Sequence, residues 1–124
     1  MSDWLKQNVL PHLVGYKRIP RTQIAKEIKE FIGNDPKPEF WAYYADYDWV
    51  VFCQLFGRMV DLPDNFPKLC MDIKQLAMSK GSPKLPKQDK HLQHHALFDA
   101  VHDRKIYQFL TGESEANDNT NVIN

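Results

Sequence analysis

The residues with chemistry to offer are acids and histidines placed where the local pattern changes. Asp48 closes the stretch Phe40-Trp41-Ala42-Tyr43-Tyr44-Ala45-Asp46-Tyr47-Asp48, in which an aromatic run gives way to a helical one. The carboxyl end of a strand is the usual mouth of an α/β site. A carboxylate there can hold a hard divalent cation or cap the helix that follows, and position alone leaves both readings open. The second group is His94-His95-Ala96-Leu97-Phe98-Asp99-Ala100. A histidine at a helix start can swing over a site that an aspartate further along reaches, which suits a general base beside a cation-holding carboxylate. The plain alternative is a helix with an exposed histidine start and Asp99 as a surface charge. His91, His94 and His95 also invite a zinc reading, but no cysteine or third well-spaced ligand accompanies them. Asp46 reads as a solvated turn residue, and Asp103, after His102, as charge on an exposed helix face. Lys84, Lys87 and Lys90 could meet phosphates or simply keep their loop in solution.

These residues need elements to position them. Ser2 to Val9 predicts a short helix capped by Ser2, with Trp4, Leu5 and Val9 toward a core and Pro11 ending it. A clearer helix is predicted from Thr22 as cap. Ile24, Ala25, Ile28, Phe31 and Ile32 recur there at helical spacing, and Gly33 with Asn34-Asp35-Pro36-Lys37-Pro38 stops it. Glu39 to Ala45 predicts a strand covered on both faces, followed by an acidic turn, Asp46-Tyr47-Asp48, and a helix from Trp49 to Phe56. Leu69-Cys70-Met71 predicts a second short strand, with Asp72 capping a helix through Met78. After a loop rich in Pro and Lys, Ser82 to Lys90, the last helix covers about His94 to Leu110, with Ala96, Leu97, Ala100, Val101 and Leu110 toward the core. The polar tail, 113–124, is predicted to be disordered. Alternating strands and helices give an α/β fold. Two strands under four helices make a poor independent core, which implies strands absent from this sequence.

Size and composition bound the rest. The sequence holds 124 residues, enough for one domain, with 43% hydrophobic and 26% charged residues, as in an ordinary globular protein. Sixteen basic and sixteen acidic residues cancel, so any nucleic-acid site must lie in local charge. The opening stretch interrupts its apolar residues with Lys6, Gln7, Asn8 and Pro11, unlike a signal peptide, and no run reaches the length of a membrane helix. Cys53 and Cys70 lack metal-type spacing and read as buried reduced thiols. The expectation is a cytoplasmic protein with no membrane partner.

Taken in order, Asn8-Val9-Leu10-Pro11-His12-Leu13, then Phe40 to Asp48 with Cys53-Gln54-Leu55-Phe56-Gly57, then His94 to Ala100, resemble a family of small bacterial and phage 3′–5′ exoribonucleases of the ribonuclease-H-like, DEDDh superfamily. The resemblance runs from about Trp4 to Leu110. It implies a ribonuclease-H-like α/β exonuclease fold, a site of four carboxylates and one histidine around two magnesium or manganese ions, and the 3′ end of single-stranded RNA, possibly DNA, as substrate. Matched residue by residue, Asp48 and Asp99 fall on two of the cation-holding acids and His94 on the general base, while His95 falls on a variable position.

One departure matters. The family's first motif is an Asp-x-Glu on the opening strand, and no Asp-x-Glu occurs anywhere in this sequence. The expectation is therefore a partial exonuclease domain over 1–112, truncated at its N-terminal antiparallel strands and weakly active or inactive, with a homodimer through the exposed sheet edge. The alternative is a non-catalytic relative that binds nucleic acid or a protein partner.

Overall fold

The computed structural model describes residues 2–113, so the predicted tail from 114 onward lies outside the described residues. The elements run α1 (Asp3–Asn8), a 3-10 turn (Leu10–Leu13), α2 (Arg21–Ile32), β1 (Trp41–Ala42), α3 (Ala45–Gln54), a 3-10 turn (Met59–Asp61), β2 (Met71–Asp72), α4 (Ile73–Ser79) and α5 (Ala96–Thr111). The chain is mixed α/β: mostly helix, with one parallel two-stranded sheet in which Trp41 faces Met71 and Ala42 faces Asp72.

Alternation along β1 divides the core in two. Phe40 joins Ile32, Phe52, Cys53, Leu62 and Phe66 on one side, the side of α2 and α3. Trp41 and Tyr43 pack with Ile73, Ala77, Ile106 and Leu110 on the other, the side of α4 and α5. Both faces of the run are covered: Phe40 and Ala42 are buried on one, and Trp41 and Tyr43 pack against the second cluster on the other. The first cluster is aromatic, with Phe40 centred 5.0 Å from Phe52 and 5.3 Å from Phe66 in tilted and edge-on arrangements. Cys53 and Cys70 are free thiols, and burial with the charges of Asp48 and Asp72 pushes the Cys70 thiol up to about 11.

Several expected boundaries shift. The strand is shorter than Glu39–Ala45 and α3 starts earlier, at Ala45, so the acidic turn is the helix's own first turn. Asp48 is therefore not the cap. That place belongs to Tyr44, whose backbone is left-handed, φ 55 and ψ 60. Thr22 lies inside α2, which begins after Pro20. Trp4 and Leu5 stay largely exposed, as does Phe31. On α5 the core stripe is Asp103, Ile106 and Leu110, while Leu97 is 61% exposed.

The caps of α1 and α4 fall where expected. Ser2 Oγ accepts the Leu5 N–H at 3.3 Å. Asp72 Oδ1 accepts the N–H groups of Lys74 and Gln75 at 2.7 and 3.4 Å, and its Oδ2 accepts the Ala45 N–H at 3.1 Å. One side chain thus caps α4 and ties it to the start of α3. Asp72→Ala removes both functions. A lost cap costs about 1 kcal/mol and a lost charge-assisted bond about 1.5–3 kcal/mol, so a destabilisation of roughly 2–4 kcal/mol is expected. Asp72→Asn should cost clearly less, since asparagine caps well. Denaturant midpoints of the three proteins check this, and equal midpoints for Ala and Asn would refute it.

Candidate functional site

A cleft of about 710 Å³ opens where β1 turns into α3, facing α5 and the loop that precedes it. Asp48, His94 and Asp99 all line it, together with Tyr43, Tyr44, Gln88, His102 and Asp103. The cleft thus brings the three residues singled out by type and spacing into one place. Asp46, on the same helix turn as Asp48, is not among the lining residues.

Each side chain has a local reason for its position. Asp48 stands in the first turn of α3 and Asp99 in the first turn of α5. Both helix amino ends therefore offer partial positive charge to a carboxylate. Asp99 is held further. Its Oδ1 accepts the His94 N–H at 3.2 Å and the Gln88 Nε2 at 2.9 Å. The first bond closes the turn between the histidine and the helix, and it requires the left-handed backbone that His94 adopts, φ 68. His102, half-buried, lines the cleft together with Pro86 of the preceding loop. Burial, then the charge of Lys105, lowers its pKa.

Left-handed backbone is rare for residues other than glycine and costs about 1–2 kcal/mol. Three such residues occur among those described, Tyr44, Ser82 and His94, and two of them line this cleft. Backbone strain held by its surroundings is a mark of functional sites.

The adjacent histidines have separated. His94 is exposed, and its ring meets that of Trp4 edge-on at 4.8 Å. His95 is packed among His12, Tyr16 and Phe98, and its Nε2 lies 3.2 Å from the Tyr16 hydroxyl. Its Nδ1 is buried without a hydrogen-bond partner. His95 is thus a packing residue that docks the amino-terminal segment, a role the sequence did not suggest.

Asp103 is the larger departure. Expected on an exposed face, it is 7% exposed and lines the cleft. Burial, then the charge of Asp99, raises its pKa to about 7, with Asp48 adding to the rise. Tyr43 lines the same cleft, and its backbone polarity works against the rise in the Asp103 pKa. Asp48 is sheltered enough at the rim that desolvation, then the charge of Asp99, raises its pKa too. Three carboxylates thus feel one another across the cleft. Among the described residues, no three His, Cys, Asp or Glu side chains lie close enough to hold a metal ion by themselves.

Asp103 sets a pH dependence whose sign is fixed. The native state keeps this proton up to about pH 7, whereas the ordinary carboxyl releases it near 3.8. Between those values the native state binds more protons than the unfolded chain, so this group's contribution to stability falls as pH rises from about 4 to 7 and is level above. In chelator, Asp103→Asn should match the wild type near pH 4 and exceed it increasingly up to pH 7, by a few kcal/mol at most. Melting curves across that range would show the widening gap; parallel curves would contradict it.

Sequence comparison supplies the relatives. The profile of the 3′–5′ exoribonuclease Rv2179c-like domain family matches residues 1–111. Two relatives from Mycobacterium tuberculosis, 3′–5′ exoribonuclease Rv2179c of strain ATCC 25618 / H37Rv and 3′–5′ exoribonuclease MT2234.1 of strain CDC 1551 / Oshkosh, are each 31% identical over 120 residues. The alignments cover 93% of this chain and 71% of each relative. With nearly the whole described chain inside the match, this protein belongs to the Rv2179c-like 3′–5′ exoribonuclease domain family.

Proposed function

We propose that this chain forms one side of the divalent-cation site of a 3′–5′ exoribonuclease of the ribonuclease-H-like, DEDDh type. Asp48 and Asp99 would hold magnesium or manganese, and His94 would act as general base on the 3′ end of single-stranded RNA. The observation that carries this reading is the convergence of those three side chains on one cleft. The donor chemistry fits, since carboxylate oxygens are what hard divalent cations take. Burial, then the charge of Asp99, raises the pKa of Asp48, and the repulsive part of that rise is what a dication would relieve.

When bound, divalent cations supply positive charge that activates water and steadies the leaving oxygen of an in-line attack on phosphorus. The chain's own residues do the rest. Asp99 is oriented before any ligand arrives, because the bonds from His94 and Gln88 both fall on Oδ1. Oδ2 is then the oxygen left for a cation. His94 has an exposed ring on a fixed backbone, so its imidazole can take the proton of the attacking water and return it to solvent. Tyr44 and the loop at Pro86 to Gln88 form walls that leave room for a nucleotide.

The carboxylate set in these 124 residues is short of what two cations need, because no Asp-x-Glu is present. Magnesium keeps its waters unless it is well clamped. The chain by itself should therefore release mononucleotides from single-stranded RNA only feebly with either cation. Joined at its amino end to a relative's strand carrying Asp-x-Glu, it should gain metal-dependent trimming. In that protein Asp99→Asn should abolish trimming, and His94→Ala should lower the rate by about two to four orders of magnitude with little change in melting temperature. His95→Ala should do the reverse, lowering the melting temperature more than the rate per folded molecule. Trimming that survives Asp99→Asn would sink the site assignment. A joined protein that binds RNA without cutting it would favour the non-catalytic alternative.

A further inference from the structure

We infer that Tyr44 is an RNA-binding residue, the platform on which the nucleobase at the 3′ end stacks while its phosphodiester lies at the acids. This role rests on the reading of Asp48 and Asp99 as the place where that bond is cut, since the cut fixes which nucleotide lies beside the ring. Tyr44 stands immediately before α3, and Asp48 is in the first turn of the same helix. Both line the cleft. Tyr47 belongs to the same stretch and is 85% exposed, but it is not among the lining residues.

The fold alone gives little reason for an aromatic ring at Tyr44. The residue is 62% exposed and belongs to neither buried cluster. Its backbone is left-handed, φ 55, a conformation that glycine or asparagine adopts at lower cost. A tyrosine here gives up backbone preference and leaves its ring to water. What the ring has instead is a fixed pose. The Tyr43 ring meets it at 88°, with centroids 4.9 Å apart, and Tyr43 is itself packed against the cluster of Ile73 and Ile106. A perpendicular contact occupies at most one face of the Tyr44 ring, so at least one face stays open beside the cleft. A braced ring with an open face is what base stacking requires.

The lining of the cleft is mixed as a nucleotide is mixed. Tyr44, Leu85, Pro86 and Ile106 suit a flat apolar base, and Asp48 with Asp99 suits the cation that a phosphate meets. Stacking accepts every base, because every base has a π-face, so the platform holds the 3′ end without choosing its sequence.

The test is a cycle between the ring and the base. Binding of the full chain to a short single-stranded RNA, labelled at its 5′ end, is measured with manganese and again in chelator. A second RNA has the same sequence but lacks the base of its 3′-terminal residue. Tyr44→Gly removes the ring and relieves the left-handed backbone, so its melting temperature should hold or rise. It should lower the affinity for intact RNA by about 5- to 150-fold, the usual worth of one stacked base. On the abasic RNA, wild type and Tyr44→Gly should agree within about two-fold. Tyr44→Phe keeps the ring face and should behave as wild type on both RNAs.

Equal loss on both RNAs would make the ring a general or structural contact and overturn the platform. Intact RNA bound equally by wild type and Tyr44→Gly overturns it as well, as does a wild-type chain that binds neither RNA. Should Tyr44→Gly fail to fold, Tyr44→Asn, which also tolerates left-handed backbone, must show the same dependence on the base. Coupling of ring and base that is the same in chelator as in manganese, with no affinity gained from the metal, would leave the platform standing and remove the cation site from the reading above it.

Discussion

Everything at the cleft depends on how the chain passes from β1 into α3. The strand lies buried between two helical layers, and the helix must start at once if its amino end is to point at α5. The turn that achieves this places a tyrosine in the left-handed region, and its neighbours' N–H groups lie at a depth where water cannot satisfy them freely. Unmet, each would cost on the order of 1–3 kcal/mol. Asp72 meets that of Ala45 from the junction of β2 and α4. The strain at Tyr44 is therefore borne in part by a hydrogen bond that joins the turn to the neighbouring strand and helix.

The charge arrangement follows from the same geometry. Asp48 and Asp99 each occupy the first turn of a helix, where the backbone dipole favours an anion. That influence fades within a turn. Asp103 lies beyond it on α5, deeper and with Asp99 as its nearest cause of repulsion, so it keeps its proton to about pH 7. Asp48 and Asp99 stand nearer the mouth of the cleft, while Asp103, its pKa raised to about 7, is only partly ionised near neutrality. Gln88 adds a neutral donor to Asp99 rather than a competing positive charge, which orients the carboxylate without neutralising it.

Much of this was legible in the sequence. Asp48, His94 and Asp99 stand where an aromatic run or a helix start changes the pattern, and the doubly buried strand and the Asp72 cap could be read from neighbours alone. Asp103 could not be read that way, because a charged residue was assigned to the exposed face by type. Its spacing says otherwise: 99, 103, 106 and 110 form one stripe, of which Asp103, Ile106 and Leu110 are all buried. Leu97 and Val101 were assigned to the core by hydrophobicity, yet they lie off that stripe and near the open end of the helix. The short strand and the early start of α3 were hidden for a different reason. Tyr44 has no local tendency toward left-handed backbone, and tertiary structure such as the Ala45–Asp72 bond beside it makes that conformation tolerable.

The divergence of His94 and His95 illustrates the same principle at one residue's distance. In an extended or helical backbone, neighbouring side chains would differ mainly in direction and would share much of their surroundings. Here the left-handed backbone at His94 turns the chain sharply before α5 begins. His95 is thereby directed toward His12 and Tyr16, and His94 is left over the cleft with its N–H spent on Asp99. One hydrogen bond, from the His94 backbone to the Asp99 carboxylate, therefore does two things. It orients the acid, and it helps hold the strained turn that leaves His94 over the cleft and His95 packed away from it. On the proposed reading of His94 as general base, the position of that base is fixed by backbone geometry before its side chain makes any contact with a substrate.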